Sequence, residues 1–242
     1  MIRNNNNPNI LSQLKKDIAT QKDPAYAKNL QRFFKTGKGE YGEGDIFLGL
    51  RVPQCRTIAT TYVDSISLKE LDALITSPFH EERLIALLIL VEQFKNAGTK
   101  GQKNIYQYYL SHTQYINNWD LVDLSAHHIV GGYLFGKSHT PLFTLAKSTD
   151  LWERRISILA TFYFIKEGEF DTALSIAELL LHNQHDLIHK AVGWMLREVG
   201  KNNIAIEKKF LDTHVKQMPR TMLRYAIERF PEKERQRYLH IK

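Results

Sequence analysis

From residue 10 onward, apolar positions recur three and four apart almost without a break. That is the period of a helix with one face turned to a core, and alternating β-branched runs are scarce. Local signals mark several helix starts. Ser67 and Glu70 have the spacing of a capping box, in which hydroxyl and carboxylate satisfy each other's end amides. Ser77-Pro78 predicts an N-cap followed by proline at the first helical position. Asp150, with Glu153 three residues on, repeats the cap logic ahead of Trp152. No Asn-Gly pair joins alternating runs, so no hairpin is predicted. The pattern predicts an all-α fold.

One segment is glycine-rich: residues 36–45, TGKGEYGEGD. A phosphate-cradling loop follows a strand and opens a helix, and a P-loop carries Gly-Lys-Ser/Thr. This segment does neither, and Glu40, Glu43 and Asp45 would repel a phosphate. It is expected to be a long surface loop.

The helical pattern also repeats. Residues 82–86 (ERLIA), 122–126 (VDLSA), 154–158 (RRISI) and 189–193 (HKAVG) place a charged anchor ahead of small and apolar residues, and 223–227 (LRYAI) is a looser copy. The anchors Arg83, Asp123, Arg155, Lys190 and Arg224 are 40, 32, 35 and 34 residues apart. Those steps fit helix–turn–helix repeats of HEAT or tetratricopeptide type, which stack into a right-handed α-solenoid with a concave face. We expect one such domain over residues 10–242, preceded by a disordered tail, residues 1–9.

Composition narrows the class. The 242 residues are 43% hydrophobic and 24% charged, ordinary for a globular protein with a sizeable core. The longest apolar run, Leu84 to Val91, is far short of the roughly 20 residues that span a bilayer. Residues 1–9 have no apolar stretch of secretory type. The single cysteine, Cys55, excludes an internal disulfide and fits a reducing cytoplasm. Lys+Arg exceed Asp+Glu by 33 to 26, a net charge of +7, which favours a polyanionic partner.

Four anchors are cations and one, Asp123, is an acid. On a concave face they would form a basic stripe able to neutralise phosphates, with one carboxylate set into it. Asp123 would oppose a polyanion there, so it either forms a ridge salt bridge with Arg83 or Arg155 or does chemistry. The chain has three tryptophans. Trp119 lies one helical turn before Asp123 and Trp194 one turn after Lys190. Aromatic faces among cations hold sugars, bases and cationic groups. Trp152, beside Leu151 at a helix start, looks like packing.

These residues carry a resemblance. Residues 118–123 (NWDLVD) resemble the Trp-Asp-x-Val-Asp motif of the AlkD family of HEAT-like-repeat DNA glycosylases. Residues 151–159 (LWERRISIL), 189–198 (HKAVGWMLRE) and 47–53 (FLGLRVP) resemble further segments of that family, in the same order, over roughly Phe33 to Arg224. The resemblance implies a C-shaped solenoid holding duplex DNA in a basic concavity. It implies hydrolysis of the N-glycosidic bond of N3- and N7-alkylated purines, the first step of base excision repair, without metal or organic cofactor and without an obligate protein partner. It would make Asp123 the catalytic carboxylate, with Trp119 and Trp194 against the backbone at the lesion. Arg155 and Arg197 would contact DNA, and Lys190 and Arg83 would complete the stripe.

The chemistry is self-consistent. A purine alkylated at N3 or N7 is cationic and leaves as a neutral base, so no general acid is needed. The sugar develops oxocarbenium character, which a fixed carboxylate stabilises while it orients or deprotonates water. The chain departs from the family's best-known members in three places. Asn118 stands where they have a second Trp, Phe33 or Phe34 where they have a Tyr, and residues 37–44 make a longer loop. A non-catalytic binder of DNA structure on the same scaffold is the alternative reading, and a HEAT-type protein–protein scaffold a more distant one. His182, His185 and His189 could sit on one helix face, but lack a completing ligand for zinc. His127 and His128 follow the motif by one turn. Cys55 has no nearby histidine to activate it. The basic segment Lys233 to Lys242 is expected to be a solvated helix end.

Overall fold

The computed structural model describes residues 10–241; the expected tail, residues 1–9, lies outside them. The described residues are helical, and their only β pairing is an isolated bridge between Ile46 and Phe79. No described helix is long and apolar enough to cross a membrane. Contacts along the chain group it into two compact units that part between Ser125 and Ala126.

The first unit holds α1 (Ile10–Thr20), α2 (Pro24–Phe33), α3 (Val52–Tyr62), α4 (Leu68–Ile75), α5 (His80–Asn96), α6 (Thr99–Ser111) and α7 (Trp119–Asp123). Helix α5 is its hub, with α3, α4, α6 and α7 packed around it. This explains the apolar run from Leu84 to Val91, which is buried throughout. A helix apolar all round belongs inside a protein, and truncating one of its leucines or isoleucines to alanine typically costs about 2–5 kcal/mol.

Helix starts follow local chemistry where no distant partner intervenes. Ser67 caps α4 and Glu70 returns the bond to the Ser67 amide at 2.8 Å. Ser77-Pro78 does not start α5, contrary to the expectation. The Ser77 hydroxyl accepts the Phe79 amide, and the helix begins two residues later at His80. The reason is tertiary: the His80 amide donates to the Ile46 carbonyl at 2.9 Å, so Phe79 stays extended against Ile46.

The second unit begins with a π-helical turn (His127–Gly131) and continues through α8 (Gly132–Leu134), α9 (Thr140–Ala146), α10 (Leu151–Lys166), α11 (Asp171–Leu179), α12 (Asp186–Asn202), α13 (Ile204–His214), α14 (Arg220–Ala226) and α15 (Glu232–His240). Asp150 caps α10 through the amides of Trp152 and Glu153, as expected. Here the repeat is plain. Helices α10, α12 and α14 pack in succession, while α11 and α13 join them as a second layer. The anchors Arg155, Lys190 and Arg224 fall on α10, α12 and α14 in turn. One helix pair therefore spans the 34- or 35-residue step read from the sequence. Gly193 lets α12 approach α14: a Cβ there would lie 2.4 Å from the Met222 carbonyl oxygen and 2.5 Å from Tyr225 Cβ.

Candidate functional site

In the first unit the site starts from a five-residue helix. Asn118 caps α7 by accepting the Trp119 amide on its side-chain oxygen, and Asp120 accepts the Leu121 amide at 2.9 Å. One turn then separates Trp119 from Asp123. Asn118 is wholly buried, and its amide nitrogen donates to Asp45 Oδ2 at 3.1 Å. Asn118 therefore works in the interior of the protein.

Asp45, at the end of the glycine-rich segment, enters a buried polar cluster that the sequence reading missed. His80 donates from Nδ1 to Asp45 at 3.0 Å and from Nε2 to Asp120 at 2.8 Å. An imidazole donating at both nitrogens is an imidazolium. Burial pulls its pKa down, but the charge and hydrogen bonds of Asp120, joined by those of Asp45, outweigh burial and carry it up to about 9. Burial likewise opposes the ionised form of Asp45, yet its bonds to His80 and Asn118 and the charge of Arg83 hold its pKa below the usual value. Two carboxylates and two cations thus cancel inside the fold. The His80 ring stacks on Phe47 at 4.5 Å and lies 5.1 Å from Phe34.

Arg83 belongs to this cluster, not to an exposed stripe. It is 4% exposed, and its guanidinium donates to Asp45 Oδ1 at 2.5 Å, the Ser77 carbonyl at 2.8 Å and Asn117 at 3.1 Å. Its neighbour Glu81 accepts the amides of Leu48, Gly49 and Leu50 at 2.8, 2.8 and 3.2 Å, pinning the FLGL segment. Gly49 is obligatory there, with φ of 91° and the Asp23 carbonyl oxygen 2.0 Å from where a Cβ would stand.

The rest of residues 36–45 is a loop closed on itself. Glu40 accepts the Gly37 amide and Glu43 the Gly39 amide, at 2.9 and 2.7 Å. Its own carboxylates occupy amides that a phosphate would need.

Beside α7 lies a cavity of about 670 Å³. Its lining includes the rings of Tyr26, Phe33, Phe34, Phe47 and Trp119 and the charged side chains of Arg51, His80, Glu81, Asp120 and Asp123. Trp119 stacks on Phe34 at 5.1 Å and meets the edge of Phe33 at 5.9 Å. Phe34 is buried, whereas Phe33 is 63% exposed. Arg51 lies over the Tyr26 ring at 4.5 Å.

The remaining expected site residues lie in the second unit. Trp194 is half-buried on α12; its Nε1 donates to Glu198 at 2.9 Å, and its ring is 6.0 Å from Phe162. Lys190, also on α12, pairs with Asp186 at 2.6 Å. Arg197 is bonded to Glu228 and lies 3.7 Å from Glu198. Arg155 is only 4% exposed and donates to the Leu187 carbonyl at 2.5 Å, joining α10 to the first turn of α12. The structure thus brings Asp123 to Trp119 in one unit, and Lys190 to Trp194 and Arg197 along one helix of the other. It gives Arg83 and Arg155 interior partners. Periodicity locates a helix face, but the burial of a guanidinium depends on acceptors far away in sequence.

Two of the histidines set aside bond to nearby backbone. His185 Nδ1 accepts the Leu187 amide, and His189 Nε2 donates to the Asn183 carbonyl. Among the described residues no three His, Cys, Asp or Glu side chains are placed to share a metal ion. Cys55 is buried, and burial pushes its thiol pKa up to about 12, so it is no thiolate at neutral pH.

A model of the DNA alkylation repair enzyme family matches residues 14–230. No sequence match was found among curated proteins. Among solved structures, the chain is similar to a predicted DNA alkylation repair enzyme from Enterococcus faecalis, with a TM-score of 0.67 and 16% identity over 88% of this chain and 98% of that one. It is also similar to AlkD2 from Streptococcus mutans, with a TM-score of 0.55 and 16% identity over 86% and 98% of the two chains. At that identity the likeness is one of fold: an α-helical repeat.

Proposed function

The chain belongs to the DNA alkylation repair enzyme family, and on that premise we propose that it is a DNA glycosylase. It would hydrolyse the N-glycosidic bond of N3- and N7-alkylated purines in duplex DNA. The observation that carries this is Asp123, one turn from Trp119 in the lining of an aromatic cavity. As the bond breaks, its electron pair goes to the base and neutralises the base's charge. Positive charge grows at C1′ and O4′, where the Asp123 carboxylate stabilises it. Water adds to C1′ and gives a proton to the carboxylate. Trp119 offers a π face to the charged sugar.

From the second unit, Trp194, Lys190 and Arg197 are assigned to the DNA backbone. Lys190 and Arg197 would exchange the carboxylates of Asp186 and Glu228 for phosphates. Arg155 supports that surface from within, by tying α10 to α12. The net charge of +7 supports a polyanionic partner.

The test is release of 7-methylguanine and 3-methyladenine from methylated duplex DNA. Asp123→Asn should slow release by about 10²–10³-fold, the usual cost of losing one electrostatic stabiliser, with DNA binding kept. A variant as fast as the parent would refute the role of Asp123. Salt-sensitive duplex binding with no release by the parent would favour the non-catalytic DNA binder.

A further inference from the structure

We propose that His80 is a positioning residue for the reaction. Its imidazolium, donating to Asp45 and Asp120 at once, holds α7 so that Trp119 and Asp123 line the cavity together, and excision requires that charge. The inference rests on the glycosylase reading and deepens it, since His80 is 1% exposed and acts only through α7.

Helix α7 has five residues, too few to hold a helical turn on their own. Leu121 and Val122 anchor it by burial, which carries no direction. Direction comes from three polar side chains. Asn117 accepts from Arg83 at 3.1 Å, Asn118 donates to Asp45 at 3.1 Å, and Asp120 accepts from His80 at 2.8 Å. The three ties meet at Asp45, to which Arg83 and His80 both donate. Trp119 stands between two of the tied residues, and Asp123 follows one turn later. His80 reaches the same helix by a second route. Its ring stacks on Phe47 at 4.5 Å and lies 5.1 Å from Phe34, and Phe34 stacks on Trp119 at 5.1 Å. The imidazole thus supports α7 through Asp120 and the face of its indole through Phe34.

Charge is what lets one ring hold both acids. A neutral imidazole donates at one nitrogen and would turn a lone pair toward Asp45 or Asp120. It would also leave one buried negative charge uncompensated. The other charged groups nearby do not take its place. Arg83 is already bonded to Asp45, Asn117 and the Ser77 carbonyl. Glu81 accepts the amides of Leu48, Gly49 and Leu50, and Glu82 pairs with Lys15 at 3.6 Å. The Cys55 thiol, close enough to feel Glu81 and Asp120, is neutral, with its pKa pushed up to about 12. Arg51 and Asp123 line the same cavity, and Arg51 lies over the Tyr26 ring. His80 keeps its proton up to about 9, so α7 is held at neutral pH and released as pH rises through that value.

The test follows release against pH. Single-turnover release of 7-methylguanine from methylated duplex is measured at saturating enzyme and corrected for loss without enzyme. It should be level between about pH 7 and 8 and fall with a midpoint at about 9. At about pH 8, His80→Gln should be about 10- to 10²-fold slower, the cost of misplacing reacting groups by about 1 Å, and should show no further fall through about 9. Its duplex affinity should stay within about 2-fold, since phosphate contacts are untouched. Asp120→Asn removes one of the charges that hold the proton, so its fall should come at least about one pH unit lower. Circular dichroism confirms that both variants are folded.

A second readout needs neither DNA nor catalysis, and its main titration needs no change in the cluster. Labelling with 5-fluorotryptophan gives one fluorine resonance for each of the three tryptophans, and Trp119→Phe identifies the one from Trp119. In the parent this resonance should move with a midpoint at about 9, and in His80→Gln it should stay fixed over the same range. A Trp119 resonance that does not titrate would overturn the inference. So would a fall in release that His80→Gln keeps or that Asp120→Asn leaves in place.

The two readings fail separately. Release by the parent that holds its rate through pH of about 9 and beyond would sink the role of His80 and leave the glycosylase standing. No release by the parent, with a Trp119 resonance that titrates only while His80 is present, would sink the glycosylase and leave His80 as the charge that sets α7.

Discussion

Asp45→Asn changes one atom and removes one charge from the middle of the buried cluster. Asp45 is 5% exposed and accepts from His80 at 3.0 Å, Arg83 at 2.5 Å and Asn118 at 3.1 Å. An amide at this position keeps one acceptor oxygen and turns a donor toward donors. Two buried cations are left facing the single charge of Asp120. Breaking a buried ion pair by removing one partner costs about 3–5 kcal/mol. At about 2–4 °C per kcal/mol for a chain of this size, the melting temperature should drop by roughly 6–20 °C. Urea unfolding followed by far-UV circular dichroism measures the loss directly, provided the slope against denaturant is unchanged. Arg83→Met in the Asp45→Asn background should cost far less than it does alone, because the two residues share one interaction. On the glycosylase proposal, excision should fall as well, since Asn118 loses an acceptor while capping the helix that carries Trp119 and Asp123. A stability loss below about 1 kcal/mol, or strict additivity with Arg83→Met, would show that the cluster does not hold the fold as argued.

Three further outcomes follow from the same structure. His80 binds its proton more tightly when folded, at about 9 against an ordinary 6.5, so its contribution is complete below pH 6.5 and is lost as pH rises through 9; thermal melts across that window should show a decline that His80→Gln removes. Burial raises the Glu207 pKa to about 8 against an ordinary 4.5, so its neutral carboxyl favours folding below 4.5 and this preference fades as pH rises through 8. Glu207→Gln should therefore flatten the melting profile between those values, and an unchanged profile would place the proton elsewhere. Gly193→Ala would gain about 0.5–1 kcal/mol in an open helix, but here the Met222 carbonyl oxygen lies 2.4 Å from the new Cβ, so a net loss of about 1–3 kcal/mol is expected in chemical unfolding.

What the chain decides on its own is what neighbours within a few residues can settle. Apolar positions three and four apart make helices wherever they fall. Ser67 and Asp150 cap helices because the amides they need lie two or three residues away. The step of 34 or 35 residues between anchors appears in the structure as one helix pair, and the motif at residues 118–123 places Trp119 one turn from Asp123. Tertiary structure decided the rest, through partners far away in sequence. Ser77 loses its place as a cap because Ile46 holds the next turn extended. Arg83 reads as a surface cation by periodicity, yet Asp45, 38 residues earlier, draws it inside. Asn118 reads as a lost aromatic, but across 73 residues it bonds to the same carboxylate. The cavity beside Trp119 has no local signature, because its rings come from segments that only folding makes neighbours. Local hydrogen bonds and helical period act over a few residues, whereas burial of charge and enclosure of space are properties of the assembled chain.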